Sequence, residues 1–320
     1  MAAAIEIQNL TKKYRNIVGG GTFTAVNDLT LSVETGQIFG FLGPNGAGKT
    51  TTIKMLLGLI FPSSGRASLL GKPIGDISVK YDIAYLPESP YFYDYMTGPE
   101  LLDFYGRLFG LSAAVRKERI ERLIDEVGLA HATGRTLRQY SKGMLQRIGI
   151  AQSLINDPKL LFFDEPTSGL DPVAHIDIRN LILRLKEEGK TLFISSHQLS
   201  DVEMVCDRVA IIHKGILRTT GHVADLLKGS QVRIVTLGLK GDAAKQAVAL
   251  ADKADDEDGQ MTLWSDDDDK VNQLVDVIRG AGARIVSLTP ERRSLEDLFI
   301  ETVRESVAVK PEQPTVAHQD

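Results

Sequence analysis

The residues from Gly43 to Thr50, GPNGAGKT, concentrate more chemistry than any other stretch of the chain. They fit the pattern G-x-x-x-x-G-K-[ST] and lie between an apolar strand-like run, GQIFGFLG, and a helical run, PNGAGKTTTIKMLLGLI. That context is what a phosphate-cradling loop requires. Gly46 and Gly48 let the backbone close around phosphate oxygens, and the N–H groups of the loop and helix start donate to a β-phosphate. Lys49 reaches the β and γ oxygens, and the Thr50 hydroxyl can ligate Mg2+. The nucleotide-binding candidates are therefore Gly43, Pro44, Asn45, Gly46, Ala47, Gly48, Lys49, Thr50 and the adjoining Thr51.

Two further motifs supply what such a loop lacks. In LLFFDEPTSGLDP an apolar strand delivers Asp164 and Glu165 at its carboxyl end. Asp164 is placed to hold Mg2+ through its water shell, and Glu165 to polarise an attacking water as general base. The bland alternative is a pair of acids capping the next turn. In TLFISSHQLSDVE, His197 follows another apolar strand and could contact a γ-phosphate. A second candidate anion site, YSKGMLQR, puts Ser141 and Gly143 at the start of an amphipathic helix, where backbone donors meet the positive end of the dipole. A plain helix N-cap explains the serine but not the glycine so close behind it.

The elements that must position these groups read as an α/β pattern. AIEIQNL and LTLSV alternate as strands, and GQIFGFLG, YDIAYLPE, KLLFFDEP and TLFISSH follow as strands. Residues 99–130 and 142–155 are helical by spacing, as are HIDIRNLILRLKEEGK and LSDVEMVC. RVAIIHKGILRTTG reads as a strand pair with a Lys-Gly turn. Strands alternating with helices predict a largely parallel sheet, with ligands at the carboxyl ends of its strands. After residue 226 the pattern changes to β-α-β-α-β and a closing helix, SLEDLFIETV. The expected organisation is a nucleotide-binding domain over 1–226, a small α/β domain over 227–305 and a disordered tail over 306–320. SDDDDKV lacks the glycine and distal glutamate of a calcium loop and reads as an acidic helix start capped by Ser265.

Bulk properties narrow the function classes. A formal net charge of -5 argues against a nucleic-acid binder with a broad basic face, so no nucleic acid is expected as a partner. The one cysteine, Cys206, reads as a packed core residue in VEMVCDRVAII and suits a reducing cytosol. The N-terminus has no apolar signal region, and no run approaches the roughly 20 apolar residues that span a bilayer. The chain is expected to be soluble and to reach a membrane only through a partner.

Taken in order, phosphate loop, signature helix, acidic strand, SGLD and histidine resemble the ATP-binding subunit of an ABC transporter over residues 5–225. The resemblance implies a P-loop ABC-type ATPase fold with a helical signature subdomain, and an adenine-stacking aromatic ahead of the first glycine loop. Tyr14 in LTKKYRN matches it, although IVGGGTFT stretches the usual spacing; the alternative is a strand-end tyrosine. It also implies head-to-tail dimers in which Ser141, Lys142 and Gly143 bind the γ-phosphate of ATP held by the other subunit. The commoner signature is Leu-Ser-Gly-Gly-Gln; here Tyr140, Lys142 and Met144 replace Leu, Gly and Gln. Asp171 in SGLDP resembles the residue that communicates across the dimer.

A departure occurs in AYLPESPYF, where Glu88 occupies the place of a glutamine that senses Mg2+ and water. It is either a metal ligand or a solvated loop acid. YLPE and the closing SLEDLF resemble the ATPases of type-two ABC exporters. The aromatic stretch YFYDYMTGPELLDFYGRLFGL matches the region that meets a permease, with Tyr91, Phe92 and Tyr93 expected at the surface. The implied protein is a cytoplasmic ATPase, peripheral on the cell membrane, using ATP and Mg2+. Its partners are itself or a sibling ATPase and a multi-span permease. The alternatives are a soluble ABC ATPase acting on ribosomes or nucleic acid, and an importer ATPase with a C-terminal regulatory domain.

Overall fold

The computed structural model describes residues 3–15, 21–227, 230–257, 259–292 and 294–308. Among the described residues two compact units emerge: those up to Val223 together with those from Thr302 onward, and Ala224–Glu301.

The first unit opens with two long strands, β1 (Ala3–Arg15) and β2 (Thr22–Glu34), paired antiparallel. A short, fully buried strand β3 (Ile38–Leu42) then runs through the phosphate loop into α1 (Lys49–Leu56). The next strands, β4 (Ser64–Leu69) and β5 (Lys72–Pro73), join β1 and β2 in a four-stranded sheet of order β2-β1-β4-β5, all pairs antiparallel. This corrects the expectation of one largely parallel sheet. AIEIQNL and LTLSV pair with each other and with the unforeseen strand SGRASL, rather than with the buried central strands. Their alternation is the mark of a sheet buried on one face, whereas β3 is buried on both.

The chain continues with β6 (Ile83–Leu86), then α2 (Gly98–Leu108) and α3 (Ala113–Glu126), then α4 (Lys142–Leu154). The stretch 99–130, expected to be helical, holds these two helices. Gly110 turns the chain at φ +74°, and the Ser112 hydroxyl caps α3 by accepting from Val115 N. A reciprocal Thr97–Glu100 capping box starts α2. Phe92, expected at the surface, is half-buried against α4, where a Cβ built on Gly149 would lie 3.3 Å from its ring; Tyr91 is 95% exposed.

Next come β7 (Leu160–Asp164), α5 (Pro172–Glu187), β8 (Thr191–Ser196), α6 (Leu199–Val205), β9 (Arg208–His213), β10 (Ile216–His222) and the short α7 (Val223–Leu226). The six-stranded sheet has the order β10-β9-β3-β8-β7-β6. Its pairs are parallel except β9 with β10, joined by the Lys214–Gly215 turn at positive φ. Phe39, Phe41, Phe162 and Phe193 pack on one face, with Phe39 and Phe193 stacked at 5.7 Å. Ile53, Met55 and Leu56 of α1 and Ile5, Ile7 and Leu10 of β1 complete this core, which ties the two sheets together. Cys206 is buried, and burial pushes its thiol up, away from the reactive thiolate.

The second unit contains β11 (Ser230–Leu237), α8 (Gly241–Leu250), β12 (Lys253–Glu257), β13 (Gln260–Ser265), α9 (Asp268–Gly280) and β14 (Arg284–Arg292). All its strand pairs are antiparallel, in the order β12-β13-β11-β14. This is a βαββαβ ferredoxin-like arrangement, with one strand more than the expected β-α-β-α-β. The extra strand β12, KADDE, is exposed throughout and is held by pairing with β13, so no apolar pattern announces it. Asp267, not Ser265, caps α9, accepting from Asp269 N and Lys270 N, while Ser265 is buried and donates to Asp252. A last helix, α10 (Leu295–Ala308), carries the chain past position 306, and the rest of the expected tail lies outside the described residues. Among the described residues no helix is long and apolar enough to cross a membrane.

Gly40 of β3 is packed so closely that a Cβ there would fall 2.7 Å from Val202 Cγ1 and 3.0 Å from Cys206 Sγ. Gly40→Ala is expected to destabilise the protein by about 1–3 kcal/mol, read by denaturant unfolding.

Candidate functional site

Neighbouring parallel strands bring the chemistry to one edge. β3, β8, β7 and β6 lie side by side, and Leu42 pairs with Ser196, Asp164 with Ser195, and Phe163 with Leu86. Their carboxyl ends thus sit level. β3 delivers the phosphate loop, β8 delivers His197, β7 delivers Asp164 and Glu165, and β6 leads to Glu88.

The phosphate loop takes a shape that only glycine permits at its tightest points. Gly46 has φ +79° and Gly48 φ +106°, and a Cβ on Gly48 would lie 2.5 Å from the Ala25 carbonyl oxygen. A Cβ on Gly43 would collide with the Ile212 carbonyl. Gly48 sits at the N-cap of α1, whose first N–H groups face the loop without intrahelical partners. Lys49 is buried; its ammonium donates to Gly43 O at 2.6 Å and pairs with Glu165 Oε1 at 3.1 Å. That carboxylate oxygen has the ion pair but no hydrogen-bond donor.

Glu165 is the hub of the site. It is 6% exposed and holds φ +51°, an uncommon conformation for a residue with a side chain. Its Oε2 lies 2.7 Å from His197 Nδ1 and accepts from His197 N at 3.2 Å. Its own N–H donates to Ser195 O at 3.0 Å. Asp164, beside it, is 2% exposed and accepts a hydrogen bond from the Ser195 hydroxyl. The Tyr85 hydroxyl is pushed up to about 12, by burial first and then by the Asp164 carboxylate beside it, and so stays protonated.

The resulting cleft has a volume of about 360 Å3 and is lined by Tyr14, Phe23, Ala25, residues 44–51, Glu88 and Glu165. Of the sequence-derived candidates, Tyr14, the phosphate loop from Pro44 to Thr51, Glu88 and Glu165 meet here; Gly43, Asp164 and His197 adjoin through the contacts above. Ser141, Lys142, Gly143 and Asp171 do not line it. They gather elsewhere: Ser141 caps α4, accepting from Met144 N at 3.3 Å, and a Cβ on Gly143 would lie 3.2 Å from Ala174 Cβ of α5. The Lys142 ammonium stands over Gly169, where any side chain would run into it. Asp171 caps α5, and the N–H groups of Ala174 and Val173 hold its carboxyl below the usual range.

Sequence reasoning missed Phe23 and Ser195. Phe23 enters the cleft because it pairs directly with Tyr14 across β1 and β2, a register invisible in a linear reading. Ser195 left a fainter signal, a serine pair at the end of an apolar strand.

The donors suit a nucleoside triphosphate. A buried ammonium paired with a carboxylate, glycine-tight backbone and an α-helix start form an anion cradle. Thr50, Asp164 and Glu88 offer the hard oxygen ligands that Mg2+ takes. A phosphate loop on a parallel sheet, with an acidic strand end beside it, defines a nucleotide-hydrolysing enzyme of the P-loop class. Comparison with known proteins agrees. The ABC transporter family model matches residues 26–168. An ABC transporter ATP-binding protein of Synechocystis is 45% identical over 308 residues, covering 95% of this chain and 86% of that one. The Nod factor export ATP-binding protein I of Cupriavidus pinatubonensis is 36% identical over 244 residues, covering 76% of this chain and 73% of that one. A solved ATP-binding subunit of an ABC transporter superposes with a TM-score of 0.62 at 31% identity, covering 70% of this chain and 91% of that one. The chain belongs to the ATP-binding subunits of ABC transporters. It binds nucleotide and hydrolyses ATP, in a family whose subunits dimerise and work with a membrane permease.

Lys49→Ala is expected to weaken ATP binding by about 10–100-fold, the scale of one lost charge-assisted contact. Equilibrium titration with a fluorescent ATP analogue checks this, and unchanged affinity refutes it.

Proposed function

We propose that this chain powers an ABC exporter from the cytoplasmic face of the membrane, by ATP-driven closure of a head-to-tail dimer. The observation that carries the reading is the separation within one chain of two anion-binding features. The phosphate loop and Glu165 line one cleft, while Ser141 and Gly143 open a different helix outside it. Each is half of a pocket, and a second copy or a sibling ATPase turned head to tail supplies the other half. Ser141, Lys142 and Gly143 then meet the γ-phosphate bound by the partner, and Asp171 lies beside them at the start of α5.

In that pocket Glu165 serves as general base. His197, hydrogen-bonded to it, keeps the carboxylate aimed and faces the γ-phosphate. Thr50, Asp164 and Glu88 hold Mg2+, which neutralises charge on the phosphates when bound. Residues 1–226 form the ATPase domain and 227–305 an accessory domain. A groove between α2 and α3 of about 1160 Å3 receives a cytoplasmic segment of the multi-span permease. Apolar Met96, Phe104, Ile120 and Ile124 line it, and it is rimmed by both acids and bases, which suits a short amphipathic helix. The relative named for Nod factor export supports the outward direction.

Glu165→Gln is expected to bind ATP, to lose about 10²–10⁴-fold in turnover and to accumulate as an ATP-bound dimer. Light scattering after gel filtration reads the dimer, and turnover at the wild-type level would sink the assignment of the base. Ser141→Ala is expected to slow hydrolysis by about tenfold, the scale of one hydrogen bond to a charged group, while the monomer keeps its ATP affinity. Loss of monomer binding in that variant would remove the reason for placing the serine across the dimer.

A further inference from the structure

We propose that His175 is a positioning residue for His197, acting through Asp201. The proposal rests on the head-to-tail reading given above and names the contact within one chain that links the partner-facing loop to the histidine. His175 stands four residues past Asp171, one turn into α5, and Asp201 stands four residues past His197, in the first turn of α6. His175 Nδ1 lies 3.2 Å from Asp201 Oδ2, and the two side chains are 22% and 23% exposed. That carboxylate oxygen is buried, and among the described residues no hydrogen bond from elsewhere satisfies it. One pair thus joins the two helices directly behind the two loops. Ahead of it the loops meet at a longer contact, the Thr167 hydroxyl donating to Gln198 Oε1 at 3.4 Å.

The surroundings leave the register of α5 against α6 to this pair. Ile182, Val202 and Val205 border a cavity of about 20 Å3, with Arg179 and Asp201 in its wall. Apolar packing of this kind is non-directional. A partly buried ion pair adds little net stability, so its effect here is geometric. Any slide or tilt of α5 against α6 stretches the His175–Asp201 distance. α5 carries Asp171 at its N-cap, and the residue two before α6 is His197, 2.7 Å from Glu165. A push on Asp171 from the partner is delivered, one turn in, to the helix behind His197. Neither His175 nor Asp201 lines the nucleotide cleft, so the pair bears on the rate of hydrolysis rather than on ATP binding.

The test splits rate from binding in the full-length chain. kcat and KM for ATP, and monomer affinity for a fluorescent ATP analogue, are measured for the wild type, His175→Ala, Asp201→Asn, their combination and His175→Arg. Denaturant unfolding checks that each is folded. His175→Ala is expected to lower kcat about tenfold, the scale of one hydrogen bond to a charged group, while KM and monomer affinity stay within about twofold. Asp201→Asn keeps the shape of the carboxylate and loses as much, and the combination loses no more than either alone. His175→Arg, which keeps a cation for Asp201, recovers most of the turnover. In the Glu165→Gln background, His175→Ala still dimerises with ATP. Unchanged kcat, additive losses, an equal fall in kcat and ATP affinity, loss of that dimer, or no recovery by arginine overturns the proposal. Should His175→Ala not fold, Asp201→Asn and His175→Arg decide alone. Failure of the underlying reading looks different: Glu165→Gln by itself would stay monomeric with ATP.

Discussion

A buried ammonium needs a counter-charge, and much of this molecule is arranged around that need at Lys49. The side chains of Lys49 and Glu165 are each 7% exposed, and together they form an ion pair across the strand ends of the central sheet. Removing one partner would strand the other in a low-dielectric site at substantial cost. A phosphate entering the loop would meet the same ammonium, so in the proposed mechanism phosphate and Glu165 share one counter-charge. His197 Nδ1 lies 2.7 Å from the other carboxylate oxygen.

The parallel sheet makes this economy possible. Because β3, β8 and β7 run in the same direction at matched register, residues far apart in sequence arrive level with one another. Asp164 and Glu165, adjacent in sequence, have different surroundings. Asp164 accepts from the Ser195 hydroxyl, whereas Glu165 lies between the Lys49 ammonium and the His197 ring. At the other end of the unit, α4 and α5 begin side by side, with Gly143 against Ala174 and Lys142 over Gly169. The segment from Ser141 to Gly143 and the SGLD loop therefore adjoin one another.

Much of the site was legible because its residues sit in contiguous motifs at strand ends. GPNGAGKT, FFDEP and ISSH each announced both an element and a group. What escaped depended on pairing between distant segments. KADDE has no apolar alternation and becomes a strand only by lying along β13. The antiparallel sheet was missed because AIEIQNL carries no mark of its partner. The break between α2 and α3 is carried locally, by Gly110 at positive φ and the Ser112 cap. Phe23 was overlooked among glycines and threonines, and only the β1–β2 register gives it a neighbour of consequence.

The second unit has a property of its own. Its first and last strands are hydrogen-bonded to each other, and Ser230 at the start of one lies opposite Arg292 at the end of the other. Its core, from Ile234 through Leu263 to Ile278, is drawn from its own residues. A segment whose two ends meet and whose interior is self-supplied behaves topologically like a bead on a string. Evolution can enlarge, trim or trade such a bead without rerouting the polypeptide on either side.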